Sequence, residues 1–264
     1  MRRNGIINLL YMFLGIKRKA IGFIAVVMFS SLTPPVANQK IYLAGGSTIA
    51  DKTPNRFPET GWGEVIGHYF TSEVKIINCA ANGSSTKTFI NQKRWEKLIN
   101  RLAKGDYVFI GFGHNDEKLD RPLVGSTLQE YEVNLIKFVR EVKHKKAIPV
   151  LMTPLMRRSA KKGVFYNSHG SYPAVVRRVA VSENVALIDM LEKSRNLLQN
   201  TGVSESKKFF LHAQPGELVN YPNGIKDNTH LSNVGAFEMA KLVVEGIREL
   251  KLPLAAYSKS PNSN

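Results

Sequence analysis

From residue 40 onward, short apolar runs alternate with stretches in which apolar residues recur every three or four positions. Lys40 to Ala44, Val74 to Cys79, Tyr107 to Gly111, Ile148 to Met152 and Val185 to Ile188 are brief and nearly unbroken, as expected of strands buried on both faces. Trp62 to Phe70, Arg94 to Leu102 and Pro173 to Ser182 read as helices. Thr127 and Glu130 stand at capping-box spacing, and Leu128, Tyr131, Leu135, Phe138, Val139 and Val142 follow with helical periodicity. Asp189 is placed to cap a helix through Leu198, and a last helix runs from Val234 to Leu250. The alternation predicts a three-layer α/β/α sandwich around a five-stranded parallel sheet. In such sheets sites form at the carboxyl ends of the strands, which is where chemistry is to be sought.

The chain has 264 residues, of which 43 % are hydrophobic and 22 % charged, enough apolar material for one sizeable core. Three segments follow: residues 1–37, a domain over 38–257, and a tail over 258–264 whose Ser, Asn and Pro content predicts a loose end. Arg2, Arg3 and Lys17-Arg18-Lys19 precede the apolar stretch Ala20 to Leu32, which Thr33-Pro34-Pro35 breaks. This is the order of a signal peptide, with a retained anchor as the competing reading. Removal is preferred, so the expectation is an exported protein, periplasmic or secreted, with no stable membrane association afterwards.

The formal charge is +16; five basic and no acidic residues lie within residues 1–37, so the remainder carries +11. That field favours polyanionic partners. No Gly-rich phosphate loop, zinc-finger spacing or RNA-binding aromatic signature accompanies it, and nucleic acid is not expected as a partner. The single cysteine, Cys79, excludes an intramolecular disulfide and reads as a small buried side chain. His68, His144, His169 and His212 lack partners at metal-ligand spacing.

Four strand ends carry the candidate chemistry. The first runs into Ala44-Gly45-Gly46-Ser47-Thr48, where glycines before a serine permit a tight turn that exposes the hydroxyl. Ile49 stands where a Gly-x-Ser-x-Gly elbow needs glycine, so that motif is absent. The second runs into small residues from Asn78 to Ser85, suited to presenting backbone N–H groups. The third runs into Gly111-Phe112-Gly113-His114-Asn115-Asp116; without a third glycine or a following helix this is not a dinucleotide loop. Before the last helix stands Asp227-Asn228-Thr229-His230. A carboxylate three residues from a histidine can fix its ring and free Nε2 for a serine proton, or the pair can simply lie in a helix-capping loop.

Taken in order, these blocks resemble the SGNH, or GDSL-type, hydrolase family, and within it the rhamnogalacturonan acetylesterase branch. The segments that carry the resemblance are Ile41 to Thr48, Gly61-Trp62-Gly63, Asn82 to Phe89, Phe112 to Asp116 and Asp227 to His230. Thr153-Pro154, Arg157-Arg158 and the stretch from His169-Gly170 to Tyr172-Pro173 add to it, and the likeness spans about residues 40 to 250. It implies a flavodoxin-like sheet and a serine esterase with Ser47 as nucleophile, His230 as general base and then acid, and Asp227 as its orienter. The backbone N–H groups of Ser47 and Gly83 and the side-chain amide of Asn115 would form the oxyanion hole. No metal or organic cofactor is required.

The resemblance further implies removal of O-acetyl groups from acetylated pectin, an acidic polysaccharide, which the positive charge fits independently. Lys87, Arg157 and Arg158 are candidates to meet its carboxylates, and His114 joins them as a candidate substrate contact. Trp62 and Tyr172 are candidates to stack on sugar rings. One departure stands out: the family pattern has aspartate before the serine, and this chain has Gly46. Alternatives therefore remain open: a lipase or thioesterase on other acyl esters, or a catalytically impaired glycan-binding relative.

Overall fold

The computed structural model describes residues 39–259. The expected signal or anchor over 1–37 and the last five residues lie outside them.

The first half of the chain supplies strand β1 (Gln39–Gly45), helix α1 (Trp62–Val65), strand β2 (Val74–Asn78), helices α2 (Thr86–Asn91) and α3 (Arg94–Ile99), strand β3 (Tyr107–Gly111) and helix α4 (Leu128–His144). Next come strand β4 (Ile148–Met152), a small antiparallel hairpin of β5 (Ala160–Lys161) and β6 (Val164–Phe165), helix α5 (Tyr172–Ser182) and strand β7 (Ala186–Ile188). Helix α6 (Met190–Thr201), the antiparallel pair β8 (Phe210–Ala213) and β9 (Ile225–Leu231), and helix α7 (Asn233–Glu249) complete the domain.

The central sheet has five strands in the order β2-β1-β3-β4-β7, all parallel. Successive residues point to opposite faces, so the sheet has two cores. Ile41, Leu43, Phe109, Val150 and Met152 pack against α1, α6 and α7. Tyr42, Ala44, Val108, Ile110 and Leu151 pack against α2 to α5. The chain order reverses between β1 and β3, and crevices open at such a reversal beyond the carboxyl ends of the strands.

Several local signals act as expected. Thr127 Oγ1 accepts from the Glu130 N–H and the Glu130 carboxylate accepts from the Thr127 N–H, closing the capping box of α4. The Asp189 carboxylate accepts from the Glu192 N–H at the start of α6. The helix expected over Trp62 to Phe70 is instead one α-turn followed by a 3-10 stretch over Ile66–Tyr69, because Gly63, Val65 and Gly67 weaken a long helix. Ser258 and Lys259, expected in a loose tail, are held in place: Phe70 bridges Ser258, and the Lys259 N–H donates to the Tyr69 carbonyl at 2.9 Å. Among the described residues no helix is long and apolar enough to cross a membrane.

Candidate active site

Gly45 ends β1 directly opposite Gly111 at the end of β3. The chain then turns, with the N–H groups of Ile49 and Ala50 both donating to the Gly46 carbonyl. The turn leaves Ser47 8 % exposed at the reversal point of the sheet. His230 Nε2 lies 3.0 Å from Ser47 Oγ, and His230 Nδ1 lies 2.7 Å from Asp227 Oδ2. The other carboxylate oxygen accepts from the backbone N–H groups of Thr229 and His230 at 2.7 and 2.9 Å. Burial raises the Asp227 pKa, but the hydrogen bonds from His230 and Thr229 and the His230 charge outweigh it and lower the carboxyl to about 2. The carboxylate is thus anionic wherever the imidazole needs it.

The sequence assigns Asp227 and His230 to no strand. They lie on β9, which pairs with β8 and holds both side chains against Ser47. Polar residues from Lys226 to His230 mask the strand pattern that the flanking Ile225 and Leu231 alone do not reveal.

An open cleft of about 610 Å³ surrounds the serine and includes Gly83, Asn115, Asp227 and His230. Gly83 has φ of +75°, a conformation that favours glycine, and an added Cβ would meet nothing. The requirement there is conformational: it lets the loop after β2 turn its backbone toward the cleft. Asn115 is 4 % exposed and donates from Nδ2 to the Ser84 carbonyl at 3.0 Å. Asp116 ties the two loops together, its Oδ1 accepting from the Thr86 N–H at 2.9 Å and Oγ1 at 2.5 Å. Burial raises the Asp116 carboxyl to about 6 in spite of those bonds.

The candidate substrate contacts divide. His114 and Arg157 line the cleft. Burial, then the neighbouring His169 and Arg157, push the His114 pKa well below the usual histidine value, so its ring is neutral. Arg157 ion-pairs with Glu117, whose other oxygen lies 2.9 Å from His169 Nδ1. The other candidates do not reach the cleft. Trp62 is 1 % exposed within the core, so it offers no face to a sugar. Tyr172 is buried, with its hydroxyl donating to the Ser126 carbonyl at 2.6 Å. Lys87 lines a separate groove beside α4 and pairs with Glu130. Arg158 is spent on the Val203 carbonyl at 2.5 Å and on Ser206 and Asn228 at 3.2 Å, where it braces β9.

Three cleft residues escaped the sequence reading: Thr53, Arg56 and Lys118. Arg56 is held by Glu59 at 2.5 Å, and Lys118 donates to Asn115 Oδ1 at 2.6 Å. Lys118 stands three residues after Asn115, a spacing that a turn brings together; nothing local marks Arg56. Among the described residues no group of three His, Cys, Asp or Glu side chains is placed to hold a metal ion. Cys79 is half-buried, and burial raises its thiol pKa.

This arrangement can pass a proton from a hydroxyl to an imidazole and offer hydrogen bonds to a developing oxyanion. Residues 43–235 match the model of the GDSL-like Lipase/Acylhydrolase family. Over 216 residues the chain is 41 % identical to rhamnogalacturonan acetylesterase RhgT of Bacillus subtilis (strain 168), covering 81 % of this chain and 92 % of that protein. The crystal structure of Axe2, an acetylxylan esterase from Geobacillus stearothermophilus, aligns at 20 % identity with a TM-score of 0.59, over 79 % of this chain and 94 % of that one. The crystal structure of YxiM from Bacillus subtilis aligns at 24 % identity with a TM-score of 0.71, over 83 % of this chain but only 58 % of that one. These two structures show the shared fold.

Proposed function

Because the chain belongs to the GDSL-like lipase/acylhydrolase family, whose members are carboxylic ester hydrolases, we propose that it removes O-acetyl groups from an acidic plant cell-wall polysaccharide, acetylated rhamnogalacturonan foremost. The observation that carries this reading is the relay from Ser47 through His230 to Asp227, at 3.0 and 2.7 Å, beside Gly83 and Asn115.

Ser47 Oγ attacks the acetyl carbonyl while His230 Nε2 takes its proton. The tetrahedral oxyanion accepts hydrogen bonds from the Ser47 and Gly83 N–H groups and from Asn115 Nδ2. Collapse expels the sugar hydroxyl, protonated by His230, and leaves acetyl-Ser47. Water, deprotonated by the same imidazole, attacks the acetyl carbon; acetate departs and Ser47 recovers its proton.

The acidic polysaccharide is supported by the 41 % identical relative, a rhamnogalacturonan acetylesterase, and by the cationic lining, to which Arg56, Lys118 and Arg157 contribute. A long acyl chain would find these charges where it needs an apolar groove, which disfavours a lipase. Export through removal of residues 1–37 belongs to the same proposal, and the N-terminal sequence of the protein recovered outside the cytoplasm tests it. The activity test is acetate release from acetylated rhamnogalacturonan by the wild type and by Ser47→Ala. Release by the wild type alone is expected; none from mild acid to mild base by freshly purified wild type would sink the proposal.

A further inference from the structure

We propose that Lys118 is a positioning residue of the ester-hydrolysis site, holding the Asn115 amide through its oxygen so that Nδ2 stays turned toward the oxyanion. This rests on the reading of Asn115 as an oxyanion donor.

The two ends of an asparagine amide have nearly the same shape and opposite hydrogen-bonding character, so a half-turn about its last bond converts a donor into an acceptor. At this site that half-turn would be ruinous, because it would aim a carbonyl oxygen at the developing anion. Two contacts oppose it. Nδ2 donates one hydrogen to the Ser84 carbonyl at 3.0 Å, leaving the second for the cleft. Oδ1 accepts from Lys118 Nζ at 2.6 Å, a charge-assisted bond. After the half-turn, Nδ2 would face an ammonium with no lone pair, and Oδ1 would face the Ser84 carbonyl, so both contacts would become repulsive. Asn115 is buried, and water is poorly placed to substitute for the lost partner.

The lysine is supplied locally. The Lys118 N–H donates to the Asn115 carbonyl at 3.2 Å, so a closed turn brings the ammonium back over the amide. The adjacent Glu117 is committed to Arg157 and His169, and Lys118 forms no ion pair among the described residues. Its charge therefore acts on the amide: it draws electron density toward Oδ1 and makes the Nδ2 hydrogens better donors. Burial, then the nearby Arg121 and Arg157, lower the lysine pKa, consistent with a cation held partly out of water.

Gly46 gives this contact added weight. A Cβ at that position would lie 3.4 Å from Asn115 Nδ2. With glycine there, no side chain of residue 46 meets the nitrogen side of the amide. The Ser84 carbonyl on the nitrogen side and Lys118 on the oxygen side are the restraints on the amide.

The competing role for Lys118 is direct capture of a substrate carboxylate, and substrates that differ in charge separate the two. Lys118→Met keeps the length of the stem and removes the donor. The full-length variant is assayed on a small uncharged aryl acetate and on acetylated rhamnogalacturonan, beside Lys118→Arg, Asn115→Ala and the double variant Asn115→Ala/Lys118→Met. We expect kcat on the aryl acetate to fall about 10- to 100-fold in Lys118→Met, less than the roughly 10²–10³-fold that follows loss of the whole donor. The aryl acetate KM should change little, the polymer rate should fall by the same factor, and Lys118→Arg should recover most of the loss. The double variant should be no slower than Asn115→Ala, since both changes act through one group. Unchanged aryl acetate turnover with a raised polymer KM would overturn the proposal and make Lys118 a substrate ligand. If Asn115→Ala slows the enzyme while Lys118→Met does not, the positioning role alone falls; if Asn115→Ala leaves kcat unchanged, the oxyanion reading falls with it.

Discussion

Lys52 Nζ donates to the carbonyl oxygen of Ser47 at 2.5 Å. The same ammonium donates to Asn82 Oδ1 at 2.6 Å and pairs with Glu59 at 3.0 Å, so it joins the turn that carries Ser47, the loop that carries Gly83 and the segment before α1. The lysine side chain is 4 % exposed and that of Glu59 1 %, so this is an interior ion pair. Burial lowers the lysine pKa and the Glu59 contacts raise it, with burial dominant. Lys52→Met removes one partner of a buried pair and is expected to cost about 3 kcal/mol. For a domain of this size that is a fall of roughly 6–12 °C in Tm. Thermal unfolding by circular dichroism checks it; an unchanged Tm would mean that the ammonium contributes no net stability.

The relay makes a sharper prediction at its far end. Asp227→Asn preserves shape but replaces an acceptor by a group whose NH₂ can face His230 Nδ1, which favours the tautomer that cannot accept the Ser47 proton. The expected loss in kcat is about 10³–10⁴-fold. KM on a small aryl acetate should move far less, since the carboxylate lies behind the imidazole. Steady-state kinetics on that ester decide the point.

Asp227 also ties stability to acid. Its folded carboxyl titrates near 2, below the ~3.9 of an unfolded aspartate. As pH falls, the unfolded chain takes up this proton first. The stabilisation is therefore complete above about pH 4 and lost as pH falls toward 2, with a size of roughly 2.5 kcal/mol at most. Urea midpoints between pH 5 and 2 should fall more steeply for the wild type than for Asp227→Asn.

Trp62 shows what patterning reveals and what it hides. Its place at the start of a helix was legible; its burial against the sheet was not, because an aromatic beside glycines looks the same whether it faces solvent or core. Trp62→Ala should cost about 3–5 kcal/mol in stability and leave unchanged the ratio of polymer to aryl acetate kcat/KM. A selective loss of polymer activity would restore the sugar-stacking role.

The same division runs through the molecule. Tyr107–Gly111 and Ile148–Met152 were legible to the residue because central parallel strands, buried on both faces, are written as unbroken apolar runs. The capping box announced α4. In contrast, β9 was hidden, since its middle is polar and its pairing with β8 joins residues as distant in sequence as Phe210 and Leu231. Helix α2 is only six residues long and begins in the small-residue loop, so no periodicity marks it. Ser47, Gly83, Asn115, Asp227 and His230 were readable as ordered blocks. Lys52, Arg56 and Lys118 were not, because a charge on a loop takes its role from partners that only the folded chain brings near.

Gly46 directly precedes Ser47, and its surroundings predict what a carboxylate placed there does. The backbone there is not left-handed, so a side chain meets no conformational barrier. A Cβ would lie 3.1 Å from the Ser84 carbonyl, which must yield by a few tenths of an ångström. Gly46→Asp should therefore fold, with a change in Tm of only a few degrees. The relay and the oxyanion loops are assembled without that carboxylate: Lys52 holds the turn, and Ser84 and Lys118 hold Asn115. A new anion beside Asn115 Nδ2 would also compete for the hydrogen meant for the substrate oxyanion. Any benefit to the turn is thus opposed by a cost at the amide, and acetate release by the wild type and by Gly46→Asp should agree within about tenfold, or roughly 1.4 kcal/mol in barrier height. A gain of a hundredfold or more would show instead that the site needs a carboxylate that Lys52, Ser84 and Lys118 do not replace.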